Sequence, residues 1–175
     1  LFSALSIPEL FRRHDRLQAA TANTLAFARL AAALRQCGTL RRWYSTVLMP
    51  ARSAPIVDGL DPLETDIPED LALARELAEA VPEISLARVA VPYTHSQLHL
   101  MKIDFEGGVA RGEVLESLES SSRITVGHAK DGWRSTADLQ EFCRNLGRPH
   151  GARPEVFIWH ESIRVEGNSL FLMMD

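Results

Sequence analysis

The run Thr21-Ala22-Asn23-Thr24-Leu25-Ala26-Phe27-Ala28-Arg29 joins residue types that can do chemistry to a position suited for it. A short strand predicted over residues 17–22 hands over to a helix predicted over residues 24–37. Such a corner presents unpaired backbone N–H groups and the positive end of the helix dipole, which suits a nucleophile or an anion. Asn23 or Thr24 can cap the helix, and Gly38 ends it. The corner residue itself is Ala22, which carries no functional group.

Other reactive side chains are sparse. The two cysteines, Cys37 and Cys143, each fall inside a predicted helix and outside any CxxC spacing, so both read as small core residues. The six histidines (His14, His95, His99, His128, His150 and His160) show neither HExxH nor HxH spacing, and no metal site is predicted. Thr94 and His99 flank a predicted turn and can hold an anion between them; a solvated turn is the plainer alternative. There is no GxGxxG, no GxxxxGK[ST] and no GxSxG, so neither a phosphate loop nor a nucleophile elbow is legible.

The elements that position these residues follow from apolar spacing. The 175 residues, 46% of them apolar and 24% charged, are enough for one well-cored domain. A net charge of −4 argues against a nucleic-acid binder. No apolar run approaches the ~20 residues of a membrane span, and two cysteines make no disulfide framework, so the expected setting is the cytoplasm. The start at Leu1 suggests a longer chain that was cut, or one whose first part is absent.

Ser6 opens a predicted helix carrying His14. Strands are expected over residues 39–49, 84–93, 97–105, 123–128, 155–160, 162–165 and 170–174. Further helices are expected over residues 67–80, 111–118 and 136–146, with a proline-rich excursion from residue 51 to residue 68. In the strand over residues 97–105, His99, Met101, Ile103 and Phe105 share one face. Glu166-Gly167-Asn168-Ser169 signals a hairpin. With the corner, the tally is about eight strands and five helices. This is an α+β arrangement: a mixed, largely antiparallel sheet with helices packed mainly on one face.

In order and spacing, several short patterns resemble the catalytic domain of the archaeal-type (type II) glyceraldehyde-3-phosphate dehydrogenases. They are Val91-Pro92-Tyr93-Thr94 with His99, Ser122-Arg123-Ile124, Asp131-Gly132, Ser135-Thr136-Ala137, Leu146-Gly147-Arg148-Pro149 and Trp159-His160-Glu161-Ser162-Ile163. Together with the corner they cover about 150 residues.

The resemblance implies a phosphorylating, NAD(P)-dependent dehydrogenase in which a corner cysteine thiolate attacks the aldehyde and a histidine assists proton transfer. It lays Ala22 on the cysteine, Asn23, Thr24 and Arg29 on matching residues, and Leu25 on a threonine. The loop that holds the family's histidine reads Thr65-Asp66-Ile67-Pro68-Glu69-Asp70-Leu71 here, without one. Residues 1–175 are therefore expected to form a single catalytic-domain-like unit, degenerate at its nucleophile position, with no nucleotide-binding domain in the chain. NAD(P) is expected only if such a domain exists elsewhere.

The expected role is a non-dehydrogenase assembly or binding module. The alternative is a repurposed enzyme, or a residual oxidoreductase, acting on a phosphorylated small molecule. Arg29, Thr94 and His99 would then be the anion donors, with Asn23 polarising a carbonyl oxygen. Expected partners are a second copy, a partner chain or domain, or that small molecule; nucleic acid and membrane are not expected. Family sheet faces pair between subunits, which makes Phe157 and Trp159 either oligomer contacts or ordinary core.

Overall fold

The computed structural model describes residues 22–50, 83–91, 96–149 and 153–175. Its first helix, α1 (Ala22–Leu34), places Phe27, Leu30, Ala31 and Leu34 at i, i+3, i+4 and i+7, and all four are buried. Burying a leucine such as Leu30 or Leu34 contributes about 2 kcal/mol. The helix stops earlier than its apolar pattern suggests. Gln36 and Cys37 donate to Ala33 and Leu34 in tighter i→i−3 bonds, so Cys37 lies in the closing turn.

Among the described residues, seven strands form one sheet: β1 (Leu40–Pro50), β2 (Glu83–Val91), β3 (Leu98–Phe105), β4 (Ile124–Gly127), β5 (Val156–Trp159), β6 (Arg164–Glu166) and β7 (Ser169–Met174). The strand order is β2-β1-β3-β7-β5-β4, and β6 also pairs with β7. The β1–β2 and β4–β5 ladders are parallel; the others are antiparallel. Two more α-helices, α2 (Arg111–Ser120) and α3 (Thr136–Asn145), and two 3-10 turns, at Ala129–Asp131 and His160–Ser162, complete the described elements. The expected α+β fold with a mixed, mainly antiparallel sheet is what the chain adopts.

Alternation along β3 buries His99, Met101, Ile103 and Phe105 and leaves Leu98, Leu100, Lys102 and Asp104 half-exposed, as period two requires. The inner face joins Trp43, Leu170, Leu172 and Met174 with α1 and with Val114 and Leu118 of α2 in one core. Ser117 ties the two helices together by donating to the Ala33 carbonyl at 2.6 Å. At the β4–β5 edge, Trp133 and Phe142 stack edge-on with each other and Trp133 with Phe157. Phe157 is buried there, and the Trp159 indole N–H donates to the Trp133 carbonyl.

Several boundaries differ from the sequence expectation. Ala22 is helical instead of ending a strand; the rest of that strand, the helices at Ser6 and over residues 67–80, and the excursion lie outside the described residues. Arg123 has φ 65° and so turns the chain into β4 instead of extending it. His160 to Ser162 form a 3-10 turn where strand was expected, held by the Ser162 hydroxyl donating to the Trp159 carbonyl at 2.6 Å. The 166–169 hairpin forms as expected, with Gly167 at φ 62°.

Candidate functional site

Polar side chains gather at the end of the sheet where β3 begins and β7 finishes. His99 is 2% exposed, its Nδ1 3.4 Å from the Ser45 hydroxyl and its ring edge-on to Phe27 of α1. Met174 lies opposite His99 in the β3–β7 register, which brings the next residue, Asp175, to the same end. Asp175 exchanges backbone hydrogen bonds with Phe157. Its carboxylate pairs with Arg153 at 2.6 Å and accepts from the Ser96 hydroxyl. Arg153 also donates to Ser96 at 2.8 Å.

Arg29 arrives at this end from α1, its Nη1 donating to the Pro154 carbonyl at 2.6 Å. Arg29 stands two residues beyond Phe27, about 200° around the helix, so the two side chains leave α1 in different directions. Arg29 and His99 therefore converge on one end of the sheet through different partners: Arg29 through Pro154, His99 through Ser45 and Phe27. Ala22, Asn23 and Thr24 are in the first described turns of α1. Thr94, the loop over residues 65–71, and His14, His95 and His150 lie outside the described residues.

Burial dominates the electrostatics. It pushes the Asp175 carboxyl above the ordinary aspartate value, against the downward pull of Ser96 and Arg153. Sequence reasoning missed this trio, because Ser96, Arg153 and Asp175 meet only through long-range pairing. The sole local hint is Ser96 itself, whose φ of 76° is uncommon for a residue other than glycine.

The thiols are elsewhere. Ala22 to Leu34 is 12 residue steps, about 18 Å of helix. Cys37 lies beyond that, its thiol 3.6 Å from the Glu113 carbonyl. Burial first, and then the Glu113 charge, push it above the ordinary thiol value despite a hydrogen bond with Ser117. Cys143 is buried, 3.8 Å from the Arg148 guanidinium. Both therefore lie away from the start of α1.

A second constellation sits past the other ends of β4 and β5. The parallel register sets Gly127 beside Trp159, so His128 and the turn opening at His160 emerge side by side. Their rings stack with centroids 4.1 Å apart, and Glu161 lies 3.6 Å from His128 Nδ1. Burial, then the charges of His128 and Arg111, lower the His160 value. Glu161 is lowered chiefly by backbone hydrogen bonding, including the Ala129 N–H at 3.2 Å.

The fold is α+β, of the kind seen in dehydrogenase catalytic domains. Aspartate semialdehyde dehydrogenase II from Vibrio cholerae shares this fold at TM-score 0.70 and 11% identity, over 94% of this chain and 57% of that one. A probable aspartate-semialdehyde dehydrogenase from Pseudomonas aeruginosa does so at TM-score 0.60 and 11% identity, over 86% of this chain and 54% of that one.

In sequence, the archaeal glyceraldehyde-3-phosphate dehydrogenases are homologues of this chain. The Methanocaldococcus jannaschii protein is 29% identical over 168 residues, 91% of this chain and 48% of its own length. The Pyrobaculum calidifontis protein is 28% identical over 98% of this chain and 52% of its own length. The Pyrobaculum arsenaticum protein reaches 40% over 91 residues, 52% of this chain and 26% of its own. The chain thus spans about half the length of the curated relatives it matches over most of its residues. No family model matches it. Among the described residues, no helix is long and apolar enough to cross a membrane.

Proposed function

We propose that this domain is a dehydrogenase-derived binding and assembly module that does no thiol-based aldehyde oxidation. The observation that carries this is the placement of the chain's two cysteines, Cys37 beyond the far end of α1 and Cys143 buried under Arg148. With Ala22 where the resemblance puts the nucleophile, no thiol remains to form a thiohemiacetal. The described residues offer no glycine-rich strand-to-helix loop for a pyrophosphate, so no NAD(P) contact is assigned to them.

The assembly part rests on the outer sheet face. Tyr44 and Met173 are 37% and 39% exposed there, and Leu100 is registered between Thr46 and Met173. A second copy can bury this face against its own. The binding part rests on Arg29, with Thr94, as donors to a phosphorylated small molecule, while His99, 2% exposed, backs this end of the sheet through Ser45.

The test is reduction of NAD(P) by the full protein with glyceraldehyde 3-phosphate or aspartate semialdehyde. We expect no substrate-dependent reduction; turnover would overturn the reading. In parallel, light scattering of Leu100→Glu with Met173→Glu is expected to show a smaller particle than the parent. Equal masses would remove the assembly part.

A further inference from the structure

We propose that His128, His160 and Glu161 form a binding site for a divalent transition-metal ion, with zinc the best match, held closed by Arg111. One candidate ligand atom from each of the three residues lies within 4.8 Å of the others. Two imidazoles and one carboxylate suit zinc and its neighbours, whereas calcium and magnesium prefer all-oxygen sets. Around a tetrahedral zinc, ligand atoms stand about 3.3 Å apart, given bonds of about 2.0 Å. Closing from at most 4.8 Å to that spacing falls on side chains that are half-buried or exposed and so can turn.

The backbone supplies preorganisation. Parallel pairing of β4 with β5 delivers His128 and His160 to the same level, and the 3-10 turn sets Glu161 directly after His160. The Ala129 N–H fixes one Glu161 oxygen at 3.2 Å. A guanidinium only donates, so the 3.2 Å contact of Arg111 with His160 Nε2 requires a lone pair on that nitrogen. That nitrogen is therefore the accepting one of the ring, the role a metal ligand plays.

Arg111 occupies the Nε2 lone pair and places a positive charge where the ion would sit. Its Nε donates to the Ile163 carbonyl at 2.9 Å and Nη2 also to the His160 carbonyl at 3.3 Å, so the planar guanidinium must move as a unit, by rotation of its flexible stem, for the ion to enter. Three protein ligands leave a fourth position open for water or a small anion. The constellation lies past the carboxyl ends of β4 and β5, away from the Ser96–Arg153–Asp175 cluster, and is independent of the function proposed above.

The experiment titrates zinc chloride into the untagged full chain by calorimetry. Cobalt(II) visible absorption and imidazole proton resonances serve as further readouts. We expect one equivalent bound, with resonance shifts at His128 and His160. His128→Gln, His160→Gln and Glu161→Gln should each weaken binding at least about tenfold, while Arg111→Met should tighten it by about tenfold through removal of the competing charge. Circular dichroism confirms that each variant folds. Absence of binding at millimolar zinc would overturn the proposal. So would shifts confined to other histidines, or affinity unchanged in all three ligand variants. Weaker binding by Arg111→Met would overturn the closing role of Arg111.

Discussion

Arg153 and Asp175 meet at 2.6 Å at the end of β7, with the carboxylate side chain only 4% exposed. An ion pair this buried gains little over a well-packed apolar pair, but losing one partner strands the other. Arg153→Met should therefore cost about 3 kcal/mol in denaturant unfolding. Asp175→Asn should cost less, because a neutral amide replaces the charge while Arg153 keeps its bond to Ser96. Equal stability of Arg153→Met and the parent would show that the pair is not closed in solution.

The same carboxyl sets a pH dependence whose sign is opposite to the usual one. Burial raises its folded value above the unfolded one of about 3.9. Between those values the native state holds more protons than the unfolded state, so stability falls as pH rises. The contribution is fully present below the unfolded value and is lost as pH rises through the folded one. Asp175→Asn deletes it, so the substitution should cost more under acidic conditions than at neutral pH. Glu155 and Asp104, both held below their ordinary values, contribute with the other sign: theirs is lost as pH falls. Unfolding curves across the acid range distinguish the two behaviours, and a substitution cost that does not vary with pH would contradict the Asp175 assignment.

Gly127 is where the aromatic edge cluster meets the sheet. A Cβ there would lie 1.9 Å from Trp133 Cε3 and 2.3 Å from Phe157 Cζ. Those rings are packed on each other and on Phe142 and Trp159, so neither can yield freely. Gly127→Ala should destabilise by about 3 kcal/mol through overpacking and shift the tryptophan emission. An unchanged midpoint with unchanged emission would show that the rings stand further off.

What the sequence reveals tracks how local its cause is. The burial of His99, Met101, Ile103 and Phe105 follows from period-two alternation. The hairpin at Gly167 and the Ser135 cap, which accepts from the Asp138 N–H at 3.1 Å, follow from short-range turn and capping chemistry. Helix and strand ends shift where hydrogen bonds outside the pattern decide them, as with Ser162 breaking the predicted strand. The histidine pair is hidden because His128 and His160 are 32 residues apart and are brought together by the parallel β4–β5 register. Arg153 and Asp175 are hidden for the same reason. Arg29 is legible as a cation near the corner, but its bond to Pro154 is not.

The thiols give the sharpest check on the proposed function. A catalytic cysteine needs a depressed value and access to solvent, since the thiolate is the nucleophile. Cys37 is only half-buried, yet burial and the Glu113 charge raise its value, so little thiolate forms near neutral pH. Cys143 is closed off within α3 at 4% exposure. In the native protein, alkylation by iodoacetamide should be slower at both cysteines than in the urea-unfolded chain, with Cys143 slowest. Mass spectrometry of the two peptides over time measures each rate separately. Labelling of either cysteine faster in the native protein than in the unfolded chain would reveal an activated thiolate and return aldehyde chemistry to this domain.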